Sequence, residues 1–206
     1  MKGLFITLEG IEGAGKTTAM AALERYFTGR GRTCLRTREP GGTALGEHIR
    51  AWLLDRSSSA QADTEALLVF AARAQHLAEV IQPALASGQV VLCDRFTDAT
   101  YAYQGAARGL GFERIAVLEQ WVQGTLRPDL TFLLDITVAG GAERVAGRGD
   151  APDRFEREPP GFFEQVRAGY LKRAAEEPHR IRIIDAACTV AEVEQELHKI
   201  LREMSL

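Results

Sequence analysis

Cysteine is scarce in this chain of 206 residues: Cys34, Cys93 and Cys188 are widely separated, with no CxxC or Cys/His cluster. That pattern gives no sign of a disulfide framework or a structural zinc site. Cys34 and Cys93 lie in apolar, strand-like runs that suit small buried hydrophobes. A basic excess is lacking too. With 25 basic and 28 acidic residues the net charge is −3, which argues against a protein that lives on a nucleic-acid backbone. No apolar run approaches the ~20 residues of a membrane span. Met1-Lys2-Gly3-Leu4-Phe5-Ile6 leads straight into a strand, without the charged region, apolar stretch and cleavage site of a signal peptide, so the cytoplasm is the expected compartment. Internal repeats, low-complexity stretches and interdomain linkers are absent, and one domain over residues 1–206 is expected.

What the chain does have is a regular alternation of short apolar runs and longer helical patterns. Strands are expected at 4–8, 34–37, 90–93, 130–134 and 181–184. Helices are expected at 17–30, 45–54, 62–86, 112–126 and 190–204, with Glu39-Pro40-Gly41-Gly42-Thr43 a loop. Several strands are apolar throughout, as in a parallel sheet covered on both faces. The βαβα order predicts an open, doubly wound α/β fold with five parallel strands and helices on both faces.

Directly after the first strand stands Gly10-Ile11-Glu12-Gly13-Ala14-Gly15-Lys16-Thr17-Thr18, a full match to the P-loop pattern G-x-x-x-x-G-K-[ST] between a strand and a helix. The glycines let successive backbone N–H groups turn inward toward phosphate oxygens. The helix beginning near Lys16 adds its positive end. Lys16 can reach the β- and γ-phosphates, and the Thr17 hydroxyl can ligate Mg²⁺.

A P-loop is shared by kinases, GTPases and motor ATPases, and three further segments bear on the choice. Asp94-Arg95-Phe96 ends a buried strand, where a carboxylate can hold Mg²⁺ or its waters and an arginine can grip a phosphate in two places; a surface ion pair is the plainer alternative. The later Asn-Lys-x-Asp of GTPases is missing. The segment 144–157, with Arg144, Arg148 and Arg154, is basic and broken by glycine and proline. It suits a short mobile lid that brings arginine to the transferring phosphoryl group, or a solvated charged turn. In Ala66-Leu67-Leu68-Val69-Phe70-Ala71-Ala72-Arg73 a single arginine sits on an apolar helix. It either pairs or snorkels, or reaches a base edge in a pocket.

Taken together these segments resemble the thymidylate kinase family along most of the chain. The marks are Phe5-Ile6-Thr7-Leu8-Glu9-Gly10 before the P-loop, Thr37-Arg38-Glu39-Pro40-Gly41-Gly42-Thr43, Ala71-Ala72-Arg73, Asp94-Arg95-Phe96 through Ala102-Tyr103-Gln104-Gly105, Arg127-Pro128-Asp129-Leu130 and Asp153-Arg154-Phe155-Glu156. The resemblance implies the P-loop nucleoside monophosphate kinase fold and transfer of the γ-phosphoryl of ATP to dTMP with Mg²⁺, giving dTDP and ADP. It implies that Lys16, Arg95, Arg148, Arg154 and Glu12 serve the transfer, and that Thr17 and Asp94 attend the metal. Arg95 would hold the dTMP phosphate and Arg73 the thymine edge, with Thr100 and Gln104 completing the base pocket. Tyr103 would lie under the deoxyribose and Glu12 near its 3′-hydroxyl. Glu39, Pro40, Arg50, Leu54, Val69, Phe70 and Tyr101 would line the acceptor site, with Glu39-Pro40 a candidate cis bond. Adenine would lie by Asp185-Ala186-Ala187 and Arg144.

Family members carry the transfer arginine either in the P-loop or in the lid. Here the P-loop has none, so the chain is similar to the bacterial, lid-arginine type. In the family the aromatic that stacks on thymine stands four residues before the base-reading arginine; that position is Val69 here, and Phe70 stands three before. The family is usually homodimeric, and the helix around 66–86 is either an interface or a core element. The competing expectations are another nucleotide or deoxynucleoside kinase on the same scaffold, and a regulatory nucleotide binder without an acceptor.

Overall fold

A computed structural model of the chain describes residues 2–147 and 153–206. Five strands, β1 (Leu4–Glu9), β2 (Cys34–Arg38), β3 (Val90–Asp94), β4 (Leu130–Asp135) and β5 (Ile181–Asp185), form one sheet in the order β2-β3-β1-β4-β5. Every pairing is parallel, with Leu8 opposite Asp94 and Glu9 opposite Leu133. β1 and β3 are apolar because both their faces are covered. Side chains alternate from face to face along a strand, so Leu4, Ile6 and Leu8 join Val90 and Leu92 in one core while Phe5, Val91 and Cys93 join the other.

The larger core is closed by α1 (Lys16–Thr28), α8 (Pro160–Glu176) and α9 (Val190–Glu203), through Leu23, Phe27, Val166, Tyr170, Leu197 and Leu201. The smaller is closed by Leu77, Ile81 and Ala84. Removing a side chain as enclosed as Leu8, which has no exposed surface, costs about 2–5 kcal/mol. The chain continues through α2 (Ala44–Leu54), α3 (Ala62–His76), α4 (Gln82–Ala86), α5 (Thr97–Thr100), α6 (Phe112–Gln123) and α7 (Val138–Ala146). Thr43 caps α2 by accepting from Gly46 N at 3.0 Å. Thr189 and Glu192 form a reciprocal capping box on α9.

The expected helix 62–86 is interrupted by a π-helical stretch, Leu77–Ile81. Pro83 stands just beyond it. A proline ring collides with the carbonyl four residues back and donates no hydrogen bond there, and a widened turn relieves both. A second π-helical stretch, Tyr101–Ala107, continues α5. The elements at 97–107, 138–146 and 160–176 are additional to the sequence expectations, and α6 stops at Gln123 rather than 126. Cys93 is buried as expected, whereas Cys34 on the edge strand β2 is half-buried. Among the described residues no helix is long and apolar enough to cross a membrane.

Candidate active site

The loop from Gly10 to Gly15 joins the buried end of β1 to the start of α1. Its backbone is forced by close approach. Gly13 has φ +79, and a Cβ there would lie 2.3 Å from the Gly141 carbonyl oxygen on α7, so only glycine fits. Lys16 folds back over the loop and donates to the carbonyls of Gly10 and Ile11, both at 3.2 Å. Burial and the nearby Arg95 push its pKa down to about 8, against the pull of Asp94 and Glu12.

Arg95, one residue beyond β3, has a positive φ of 65, a strained backbone of the kind found at functional sites. Its amide donates to the Leu8 carbonyl at 2.9 Å, which locks it to the neighbouring strand. Nη1 donates to the Gly10 carbonyl and to the Tyr170 hydroxyl, both at 2.9 Å, and Nη2 to Glu12 at 2.7 Å. Tyr103 also donates to Glu12, at 2.8 Å. Burial alone would raise the Glu12 pKa, but Arg95 and Lys16 hold it below the ordinary range. Behind this group lies Glu9, which accepts from Tyr170 at 2.8 Å and from Phe96 N at 2.7 Å. Burial, and then Asp98, push the Glu9 pKa up to about 8.

Some way along the same crevice stands Arg73. Its Nε donates to Glu39 at 2.6 Å and its Nη2 to Thr100 at 2.9 Å. Glu39 in turn meets His76 Nδ1 at 2.9 Å, and His76 Nε2 lies 2.6 Å from Thr37 Oγ1. The third nitrogen, Arg73 Nη1, is buried with no hydrogen-bond partner, and so is Asp94 Oδ1. Buried polar groups are nearly always paired, so each of these atoms presents an unused donor or acceptor. The Glu39-Pro40 bond is cis.

A cavity of about 410 Å³ joins the two ends. Its wall includes Glu12, Gly13, Gly15, Lys16, Thr17 and Thr18 at one end and Val69, Arg73, Thr100 and Gln104 at the other, with Glu39, Pro40, Arg50, Leu54, Asp94, Arg95 and Tyr103 between. A second cavity of about 400 Å³ opens on the far side of the loop, walled by Gly13, Ala14, Gly15, Thr18, Arg144, Ala186, Cys188 and Thr189. Arg144 Nη1 lies 3.5 Å from the Gly13 carbonyl.

Several expected positions fall elsewhere. Phe70 is not in the cavity wall; the turn of α3 directs it into a small core with Tyr101 and Ile115, where it packs under the Arg73 guanidinium at 4.6 Å. Val69 occupies the wall instead. Tyr101 is likewise internal, because its hydroxyl finds a partner in Glu119 at 2.6 Å. Ile11 keeps its place in the glycine loop, with its side chain buried and its carbonyl accepting from Lys16. Ala187 lies outside the second cavity's wall, and its amide is engaged by Asp185 at 2.9 Å. Arg154 is not over the loop. It donates to the Leu53 carbonyl at 2.7 Å and to Glu65 at 2.5 Å, because Glu65 is a wholly buried carboxylate that attracts a cation. Arg148 lies outside the described residues.

Sequence reasoning passed over Glu65, His76 and Tyr170. Glu65, Val69 and Arg73 are spaced by four and therefore share one face of α3, a pattern visible in the sequence. Tyr170 carries no such sign.

The parallel doubly wound sheet, the glycine loop opening α1 and the second cationic end of the cavity define an ATP-dependent nucleoside monophosphate kinase. The Thymidylate kinase family profile matches residues 8–197. The thymidylate kinase of Pseudomonas syringae pv. tomato is 60% identical over 205 residues, covering 99% of this chain and 97% of that protein. The thymidylate kinase of Alkalilimnicola ehrlichii is 60% identical over 186 residues, covering 90% and 86%. The crystal structure of the Ehrlichia chaffeensis thymidylate kinase superposes with a TM-score of 0.79 at 31% identity, covering 98% of this chain and all of that one. The chain belongs to the thymidylate kinase family.

Proposed function

We propose that this chain transfers the γ-phosphoryl of ATP to dTMP, giving dTDP and ADP, as a step in nucleotide biosynthesis. The observation that carries the acceptor half is Arg73 in the wall of a cavity whose other end is Lys16, with one guanidinium nitrogen left without a partner. A guanidinium nitrogen donates and never accepts. It suits the O4 oxygen of thymine, while Thr100 and Gln104 complete the pocket and Val69 offers an aliphatic contact to the ring.

In this reading the P-loop, Gly10 to Thr18, holds the triphosphate. The adenine end rests in the second cavity near Arg144 and Ala186, with Ala187 behind. Arg95 holds the acceptor phosphate, Tyr103 supports the sugar, and Glu12 keeps both in place. Pro40, Arg50 and Leu54 bound the acceptor. The dTMP phosphate is already anionic, so alignment and charge neutralisation are sufficient and no strong general base is needed. Asp94, with its unpaired Oδ1, and Thr17 are oxygen donors that fit Mg²⁺, which binds through one or two protein ligands and substrate phosphates. The metal would neutralise phosphate charge. Arg148 would serve the transfer from the lid. Arg154 supports the lid's base through Leu53 and Glu65.

We further read residues 1–206 as one cytoplasmic domain that works as a homodimer. Leu67, Val117 and Trp121, exposed by 53, 68 and 79%, give α3 and α6 an apolar outer face of the kind that marks an interface.

The test is ADP release measured with a panel of nucleoside monophosphates and thymidine. The expected order places dTMP first, dUMP second and dCMP far behind. Slow ATP hydrolysis indifferent to dTMP would overturn the reading.

A further inference from the structure

The first turn of α3 holds a carboxylate that phosphoryl transfer does not require. Glu65 has no exposed surface, and three donors surround it: Gln104 Nε2 to Oε1 at 2.6 Å, Arg154 Nη2 to Oε2 at 2.5 Å, and Arg108 Nε to Oε1 at 3.5 Å. An ionised carboxylate accepts and does not donate, whereas an amide has one edge of each kind. Glu65 therefore dictates which edge of Gln104 faces inward. With the NH₂ turned to Glu65, the amide oxygen is left over. Among the described residues it has no hydrogen-bond partner, yet it is not one of the sealed-off polar atoms, and Gln104 is part of the cavity wall.

We propose that Glu65 is a specificity-determining positioning residue: it locks the Gln104 amide so that an acceptor oxygen, on the cavity wall that also carries the donor Arg73, faces the acceptor base. This rests on the pocket reading given above. A donor beside an acceptor matches bases that present O4 next to N3–H, namely thymine and uracil. Cytosine presents the reverse, an amino donor next to an N3 lone pair. The locked oxygen would face that lone pair with no proton between them, and unpaired buried polar groups are the strongest source of rejection between otherwise similar substrates.

Arg154 sets the direction of the effect. In Glu65→Gln its guanidinium claims the one remaining side-chain oxygen, so the new NH₂ is turned to Gln104. Gln104 then flips and offers a donor to the base.

The readout is the ratio of kcat/KM for dTMP to that for dCMP, which is independent of the fraction of protein folded. Glu65→Gln should lower this ratio about tenfold. The double variant Glu65→Gln/Gln104→Glu should restore it, because the new carboxylate accepts from Gln at 65 and still offers an oxygen to the base. A purely structural role for Glu65 would reduce both activities alike and leave the ratio unmoved. An unmoved ratio in Glu65→Gln, or one equally low in the double variant, overturns the inference. Gln104→Leu separates the two levels: if it lowers the ratio while Glu65→Gln does not, only the role of Glu65 fails, and if it too leaves the ratio unmoved, the pocket reading fails.

Discussion

Arg73 and Glu39 are ion-paired at 2.6 Å with their side chains only 1% and 3% exposed. Such a pair is held in place less by its own strength than by the penalty for breaking it, since the survivor keeps a charge it cannot hydrate. Arg73→Met should destabilise the fold by about 3–5 kcal/mol, read from urea denaturation. In the double variant Arg73→Met/Glu39→Gln the loss should be well below the sum of the two single changes.

Arg95 touches Gly10, Glu12 and Tyr170 at once, so its removal loosens Glu12 and, in the proposed reading, would take away the anchor of the acceptor phosphate. Arg95→Ala should reduce kcat by about 10²–10³-fold with the thermal midpoint measured alongside. Arg95→Lys should recover little, because a point charge cannot replace a planar fork.

Lys16 should make ATP binding depend on pH. Its pKa is near 8 in the free protein, against an ordinary 10.5, and triphosphate favours the charged form. Above about pH 8 the lysine must take up a proton to bind, so affinity falls as pH rises and is flat below. The expected slope approaches tenfold per pH unit, measured by calorimetry between pH 7 and 9.5. Lys16→Arg, whose side chain keeps its proton, should flatten that profile.

Glu9 gives stability a pH dependence of its own. Between its ordinary 4.5 and about 8 the folded protein holds a proton that the unfolded chain has released. Raising the pH through that window therefore favours unfolding, by up to about 1.4 kcal/mol per unit. Glu9→Gln should remove this component, so that the variant gains on the native protein between pH 6 and 8 in denaturation midpoint.

Asp94 offers the simplest test of metal holding. Asp94→Asn should raise the Mg²⁺ concentration needed for half-maximal activity about tenfold at fixed ATP. An unchanged requirement would remove Asp94 from the metal's surroundings.

All five strands were legible in the sequence, because buried parallel strands are continuous apolar runs bounded by turn residues. The helix at 97–107 was not. Thr97, Asp98, Thr100, Tyr101, Tyr103 and Gln104 are buried despite being polar or aromatic, so no apolar stripe marks the element. α8 was missed for a related reason: Arg173 and Tyr170 face inward along with Val166, which blurs its periodicity. The glycine loop and Asp94-Arg95 were readable because their chemistry is local. The placement of Phe70, one residue of helix rotation from Val69, depends on its distant partners Tyr101 and Ile115, and the docking of Arg154 on Glu65 spans 89 positions of chain; no local pattern encodes those.

The amide of Arg95 hangs on Leu8, and Leu8 pairs with Asp94. The glycine loop and Arg95 thus ride on adjoining, hydrogen-bonded strands, while Val69, Arg73 and Gln104 ride on helices laid against them. Changes of acceptor preference can accordingly accumulate on those helices without disturbing the distance over which the phosphoryl group travels. A shift in substrate taste is a matter of repacking one wall, with the machinery of transfer left as it stands.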